Sequence, residues 1–225
     1  MTLVLVPGFM LDDDLWTDMR PGLDRLGPIL HADTSRADAI DEMAARTLRT
    51  APGRFDLLGF SMGGYIARAM QRAAPDRVRR LVLVATSARG ESAFDAQRKA
   101  LVARTDPALF GGLSRRSIRL SLAPDRENDT ALVERIHAMS LRLGGETFRR
   151  QSLLRRDGDL QRLAAIDCPT LIVAGERDRL RSVDESREMK AAIPNANLLV
   201  LNSGHMIPME APADLLSALT AFLGP

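Results

Sequence analysis

Cysteine, histidine, lysine and aromatic side chains are all scarce in this chain, and each shortage narrows what the protein can do. A single cysteine, Cys168, excludes an intrachain disulfide and any zinc site built on several thiolates. Its position beside Pro169, at the entry to an apolar run, reads as an inert core thiol. The three histidines, His31, His137 and His205, are far apart, which argues against a histidine-rich metal centre. Of the 31 basic residues only Lys99 and Lys190 are lysines, and 29 acidic residues leave a formal net charge of +2, so no overall basic field points to nucleic acid. Aromatics make up 4% of the chain, so the core must be built from Leu, Val, Ala, Ile and Met. No apolar run approaches the ~18 residues that span a bilayer. The opening Met1-Thr2-Leu3-Val4-Leu5-Val6 lacks a basic region and is too short in apolar residues for a signal peptide. The expectation is a soluble, cytoplasmic protein with no membrane and no nucleic-acid partner; the sequence carries no signal for an oligomeric state.

What is present is a regular alternation. The 225 residues suit one α/β domain, or one domain carrying an insertion. Apolar runs at 3–6, 55–60, 80–85, 170–174 and 198–201, with a weaker one at 28–32, read as strands. Helical spacing occupies 36–50, 62–74, 182–192 and 211–223, with Pro52, Pro75 and Pro194 marking stops and Pro212 a start. Strands without a polar face are buried on both sides, as in a parallel sheet wrapped by helices. Between about 87 and 166 the alternation ceases and the chain becomes arginine-rich and helical, with stretches at 91–104, 114–122 and 128–143. This predicts a core of 1–86 and 167–225 interrupted by a helical insertion at 87–166.

The sharpest local signal is Gly59-Phe60-Ser61-Met62-Gly63-Gly64, which follows an apolar strand and opens a helix. A turn that tight strains the serine backbone, needs small neighbours at Gly59 and Gly63, and lifts the hydroxyl above the sheet edge at a helix N-terminus. Serine is a poor nucleophile without a base. His205, in Asn202-Ser203-Gly204-His205-Met206-Ile207-Pro208, follows the last strand, on the rim where the Ser61 turn also lies. His31 and His137 read as surface or packing residues. A base needs an acid to hold its tautomer. Asp178, in Gly175-Glu176-Arg177-Asp178, lies past another strand on that rim; Glu176 is its local rival, while Asp157, Asp159 and Asp184 are less well placed. The amides of Met62 and of Phe9, in Pro7-Gly8-Phe9-Met10-Leu11, are the expected oxyanion donors. Trp16 is expected to pack against that loop. Asp12, Asp13 and Asp14 read as a helix start, with a metal triplet as the other possibility, and the arginines of the insertion read as a solvated face, with docking of an acidic partner as the alternative.

Taken together, Leu5-Val6-Pro7-Gly8-Phe9-Met10, the Ser61 motif, the Asp178 loop and Ser203-Gly204-His205-Met206-Ile207-Pro208 resemble the α/β-hydrolase superfamily, nearest to small bacterial carboxylesterases, including the aryl-esterase and cofactor-free perhydrolase branch and the pimeloyl-ester hydrolases. The order Ser, Asp, His matches that family, and the insertion falls where the family places its cap. The resemblance implies a nucleophile at Ser61, a base at His205, an acid at Asp178, oxyanion amides at Phe9 and Met62, no metal and no cofactor. It implies cleavage of a small-molecule ester, with a small or medium acyl group lodged among Met10, Met62, Met206 and the insertion. The same triad on this fold also serves acyl transfer, perhydrolysis, C–C hydrolysis and lyase chemistry, and the fold also hosts non-catalytic ligand-binding proteins. The chain departs from the family in carrying Pro7 where many members have histidine and in lacking a proline soon after the acid. It also begins at the strand that is usually third, so a sheet of about six strands is expected.

Overall fold

Alternate residues of each central strand enter two different apolar layers, and this alternation builds the molecule. The computed structural model describes residues 1–91, 97, 99, 101, 102, 104 and 106–224. Six strands, β1 (Leu3–Val6), β2 (Ile29–His31), β3 (Phe55–Phe60), β4 (Val78–Val84), β5 (Thr170–Gly175) and β6 (Ala196–Leu201), form one sheet in the order β2-β1-β3-β4-β5-β6. Every neighbouring pair is parallel. Successive side chains of a strand point to opposite faces. Leu3, Leu5, Leu58, Phe60, Val82, Val84, Leu171 and Val173 therefore share one cluster, and Val4, Val6, Phe55, Leu57, Leu81, Leu83 and Ile172 the other.

Helices close both faces. The first cluster is covered by Leu23 of α1 (Arg20–Leu26) and by Leu215, Leu219 and Leu223 of the last helix, Pro212–Leu223. The second is covered by Met43 and Ala44 of α2 (Ile40–Thr50), by Ile66, Ala67 and Met70 of α3 (Met62–Ala73), and by Met189 of the helix Val183–Ala192. That last helix starts on a capping box, with Ser182 accepting the Glu185 N–H and Glu185 accepting the Ser182 N–H. Cys168 lies in the second cluster, where burial raises its thiol pKa and keeps it protonated.

The weak strand expected at 28–32 is β2, an edge strand only half buried. The helix α1 and the 3₁₀ turn Asp13–Met19 before it were not apparent as periodic segments, although Asp12 caps that turn by accepting the Asp14 N–H, as the acidic start implied. Between β4 and β5 the chain is a helical insertion, with α4 (Arg115–Ser121) and α5 (Thr130–Leu153) in the places expected around 114–122 and 128–143. Most of the helix expected at 91–104 lies outside the described residues. α5 runs ten residues beyond its expected end because a break at Gly144 (φ 74°, ψ 172°) redirects it instead of ending it. Among the described residues the insertion has no apolar core of its own: Ile118, Leu132, Ile136 and Met139 belong to the same cluster as Trp16, Met206 and Ile207.

Polar contacts add to this seam. Arg135 of α5 pairs with Asp14 at 2.9 Å and Asp18 at 2.7 Å, and Arg142 pairs with Asp12 at 2.7 Å and Asp14 at 3.2 Å. The Asp12 and Asp14 carboxylates are thus taken up by arginines, and among the described residues no cluster of three or more His, Cys, Asp or Glu is arranged to hold a metal. Deeper in the fold, the fully buried Arg68 of α3 forms a two-pronged pair with Asp159, both contacts 2.9 Å, and donates to the Ser87 carbonyl at 2.9 Å. No described helix is long and apolar enough to cross a membrane.

Candidate active site

A parallel sheet delivers the loops that follow its strands to one edge. Ser61 comes directly after β3, Asp178 three residues after β5, and His205 four residues after β6. The structure brings the three together. His205 Nε2 lies 2.9 Å from Ser61 Oγ, and His205 Nδ1 lies 2.7 Å from Asp178 Oδ2. The Asp178 side chain is fully enclosed, and its other oxygen accepts the N–H groups of Leu180 at 2.7 Å and Arg181 at 2.9 Å. These two backbone donors fix the carboxylate, which in turn fixes the imidazole. Glu176 is exposed, and its backbone N–H still pairs with the Leu201 carbonyl at the end of the sheet. Asp157, Asp159 and Asp184 are engaged by Arg155, Arg68 and Arg187 respectively.

Ser61 adopts φ 51°, ψ −115°, a left-handed conformation that costs a side-chain-bearing residue of order 1–3 kcal/mol. Its surroundings hold it there. The Ser61 N–H donates to the Val84 carbonyl at 2.9 Å, and Thr86 Oγ1 donates to the Ser61 carbonyl at 2.7 Å. The turn closes tightly enough that a Cβ on Gly59 would lie 2.5 Å from the Gly63 carbonyl oxygen, and one on Gly63 would lie 2.6 Å from the Pro7 carbonyl oxygen. Both positions therefore exclude any side chain. The other non-glycine residues with positive φ are Met10 (55°) and Ala85 (48°), so among the described residues all three follow the adjacent central strands β1, β3 and β4 at this same edge.

Met62 opens α3, so its N–H belongs to the helix's first turn, where no intrahelical acceptor exists. Phe9 sits in the turn Gly8–Leu11, closed by the Leu11 N–H to the Gly8 carbonyl. The Phe9 ring meets Phe148 of α5 edge-on at 5.9 Å, and Phe148 stacks on Phe110 at 4.6 Å. Trp16 is buried against Phe60, edge-on at 6.4 Å, in the same cluster as Leu11; Phe60 in turn packs 5.3 Å from the His205 ring. His137 turns away to the Leu113 carbonyl at 2.8 Å. His31 stands at the end of edge strand β2; burial lowers its pKa by penalising the charged form, a shift that Asp13 partly opposes.

Three polar residues of this site carry no sequence motif. Glu210 accepts the backbone N–H of Met206 at 3.0 Å, of Gly204 at 3.3 Å and of Ala123 at 2.7 Å. It sits in the one-turn helix Ile207–Glu210, and its carboxylate folds back onto the N–H groups at the start of that turn, a contact that no sequence motif announces. Thr86 reads as an ordinary residue after a strand. Gln151 is a fully buried amide within the helical insertion that reaches Met10, and only tertiary packing reveals it.

A model of the alpha/beta hydrolase fold matches residues 2–212. The pyrrolizixenacetamide deacetylase of Xenorhabdus hominickii is 27% identical over 221 residues, covering 92% of this chain and 80% of that protein. The pimeloyl-[acyl-carrier protein] methyl ester esterase of Aliivibrio salmonicida is 27% identical over 241 residues, covering 99% of this chain and 92% of that protein. Among solved structures, a thermophilic esterase from Thermogutta terrifontis superposes with a TM-score of 0.85 at 26% identity, covering 99% of this chain and 89% of that one.

Proposed function

The chain belongs to the α/β-hydrolase family, and from that premise we propose that it is a serine esterase working through an acyl-enzyme. The observation that carries this reading is the unbroken relay from Ser61 Oγ through the two ring nitrogens of His205 to the enclosed carboxylate of Asp178, at 2.9 and 2.7 Å. Asp178 accepts a hydrogen bond from the Nδ1–H and holds that tautomer, so Nε2 presents its lone pair to the hydroxyl. As Ser61 attacks the ester carbonyl carbon, Nε2 takes the hydroxyl proton and the carbonyl oxygen gains the negative charge. The amides of Met62 and Phe9 stabilise that oxygen, and the N-terminus of α3 adds its dipole. The imidazolium then gives its proton to the departing alkoxide. Water, deprotonated by the same nitrogen, releases the acid and restores Ser61. Each step uses groups of this chain and water, without a cofactor.

The segment 87–166 acts as the cap over this edge. Phe148 and Phe110 against Phe9, with Met62 and Met206, give the acyl side an apolar lining, which favours a small or medium acyl group over a charged one. The test is a panel of p-nitrophenyl esters, thioesters and lactones, run beside a Ser61→Ala control and fluorophosphonate labelling. Turnover of short esters with label on Ser61 is the expected result. A folded protein that takes no label, or turnover that survives Ser61→Ala, refutes the reading.

A further inference from the structure

We propose that Gln151 is a positioning residue through which the helical insertion sets the shape of the oxyanion loop; this rests on the reading of Phe9 as an oxyanion donor. Gln151 is completely buried, a placement an amide side chain tolerates only when its polar atoms are satisfied. Its Oε1 accepts the Met10 N–H at 2.8 Å, and its Nε2 is 3.2 Å from both the carbonyl and the hydroxyl oxygen of Thr34. The direction of the amide is decided by chemistry: the Met10 N–H can only donate and the Thr34 carbonyl can only accept. One side chain of α5 therefore bridges two loops, those after β1 and β2, across 141 and 117 residues of sequence.

The bond falls on the strained part of the loop. Met10 is the third residue of the Gly8–Leu11 turn and has φ 55°, a conformation that such turns ordinarily assign to glycine or asparagine. A methionine stays there only if its surroundings over-determine it. The peptide joining Phe9 to Met10 is the one that rotates when a turn of this kind relaxes, and Gln151 grips its N–H. Released, that peptide turns the Phe9 carbonyl and unsettles the Phe9 amide next to it. The same helical segment holds Phe9 a second way. Phe148, three residues before Gln151 and so on the same face of the helix, packs edge-on against the Phe9 ring. The break at Gly144 is what gives residues 145–153 their own direction.

The experiment compares Gln151→Met, which keeps length and burial but loses the acceptor, with Gln151→Glu, which keeps an acceptor for Met10 and, held protonated by complete burial, a donor for the Thr34 carbonyl. Steady-state kinetics on p-nitrophenyl butyrate and inhibition by phenylboronic acid, whose tetrahedral adduct places an oxygen in the oxyanion hole, are measured beside thermal melts. Gln151→Met should lower kcat about 10- to 100-fold, short of the 10²–10³ seen when a donor itself is removed. Its KM should change less than about threefold, and boronate affinity should fall with kcat. Gln151→Glu should recover at least about threefold of the lost kcat. A kcat for Gln151→Met within about twofold of the parent, a loss confined to KM, or no recovery in Gln151→Glu overturns the proposal. Ser61→Ala run in parallel separates the two claims: if it abolishes turnover while Gln151→Met does not, only the role of Gln151 falls, and if it leaves turnover intact, the esterase reading falls with it.

Discussion

Glu210 steadies His205 without touching its ring: the carboxylate accepts the N–H groups of Gly204 at 3.3 Å and Met206 at 3.0 Å, the residues on either side of the histidine. A third bond to the Ala123 N–H at 2.7 Å, and the His205 N–H donated to the Ser121 carbonyl at 2.8 Å, tie the same loop to the insertion. Three donors converge on two oxygens, so an amide in their place turns a donor towards a donor. Glu210→Gln should lower kcat/KM about 10-fold and stability by about 1–3 kcal/mol, the usual penalty for an unsatisfied buried group. Kinetics and urea melts check both, and an unchanged variant would mean that the loop is held by packing alone.

Asp178 and Glu176 are separated by their surroundings, one enclosed against His205 and the other exposed. Asp178→Asn removes the carboxylate that orients and stabilises the imidazolium, and should lower kcat by about 10²–10⁴-fold. Glu176→Gln should stay within about twofold. Ser61→Ala should lose at least about 10³-fold. Side-by-side ester kinetics decide the matter, and a large loss from Glu176→Gln would reassign the acid.

Arg68 and Asp159 form a buried pair that joins α3, the helix behind Ser61, to the segment leading into β5. Removing one partner leaves the other charge desolvated, which typically costs about 3–5 kcal/mol. Asp159→Ala should therefore unfold at much lower urea concentration. Asp159→Ala with Arg68→Leu, which removes both buried charges and leaves only the part-exposed Arg72 without its 2.9 Å contact to Asp159, should recover much of that loss.

The clasp between α5 and the Asp12–Asp18 turn should respond to acid. Burial alone would raise the Asp14 carboxyl, but the hydrogen bond and charge of Arg135, aided by Arg142 and Thr17, outweigh it and hold the group below the ordinary aspartate value. Because the native pKa is the lower one, the stabilisation is complete above the unfolded value of about 3.9 and is lost as pH falls through the native value. Arg135→Gln should lower Tm at pH 7, and the gap from the parent should narrow below pH ~4. A gap that stays constant from pH 7 to pH 3 contradicts the assignment.

The sheet and most of its helices were legible in the sequence, because strands buried on both faces are apolar at nearly every position and because proline and glycine mark their ends. The turn at Ser61 was legible for a similar local reason: only glycine fits at 59 and 63, where backbone oxygens would lie 2.5 and 2.6 Å from an added Cβ, well inside van der Waals contact. α1 carries no legible period because its seven residues include Pro21 and Gly22 and hold too few apolar positions to show one. The sequence favours Asp178 but leaves Glu176 as its rival, since both follow β5; the turn that closes from Asp178 to Gly175 is what aims the Asp178 carboxylate at His205. The same limit hid Glu210, Thr86 and Gln151. Local sequence determined where the chain must be apolar and where it must be bare of side chains, since those demands act within a few residues. Most of the polar partners that hold Ser61, His205 and Met10 in place, Thr86, Asp178 and Gln151 among them, lie far away in sequence and are brought together by the sheet and its insertion, so tertiary structure alone decided them.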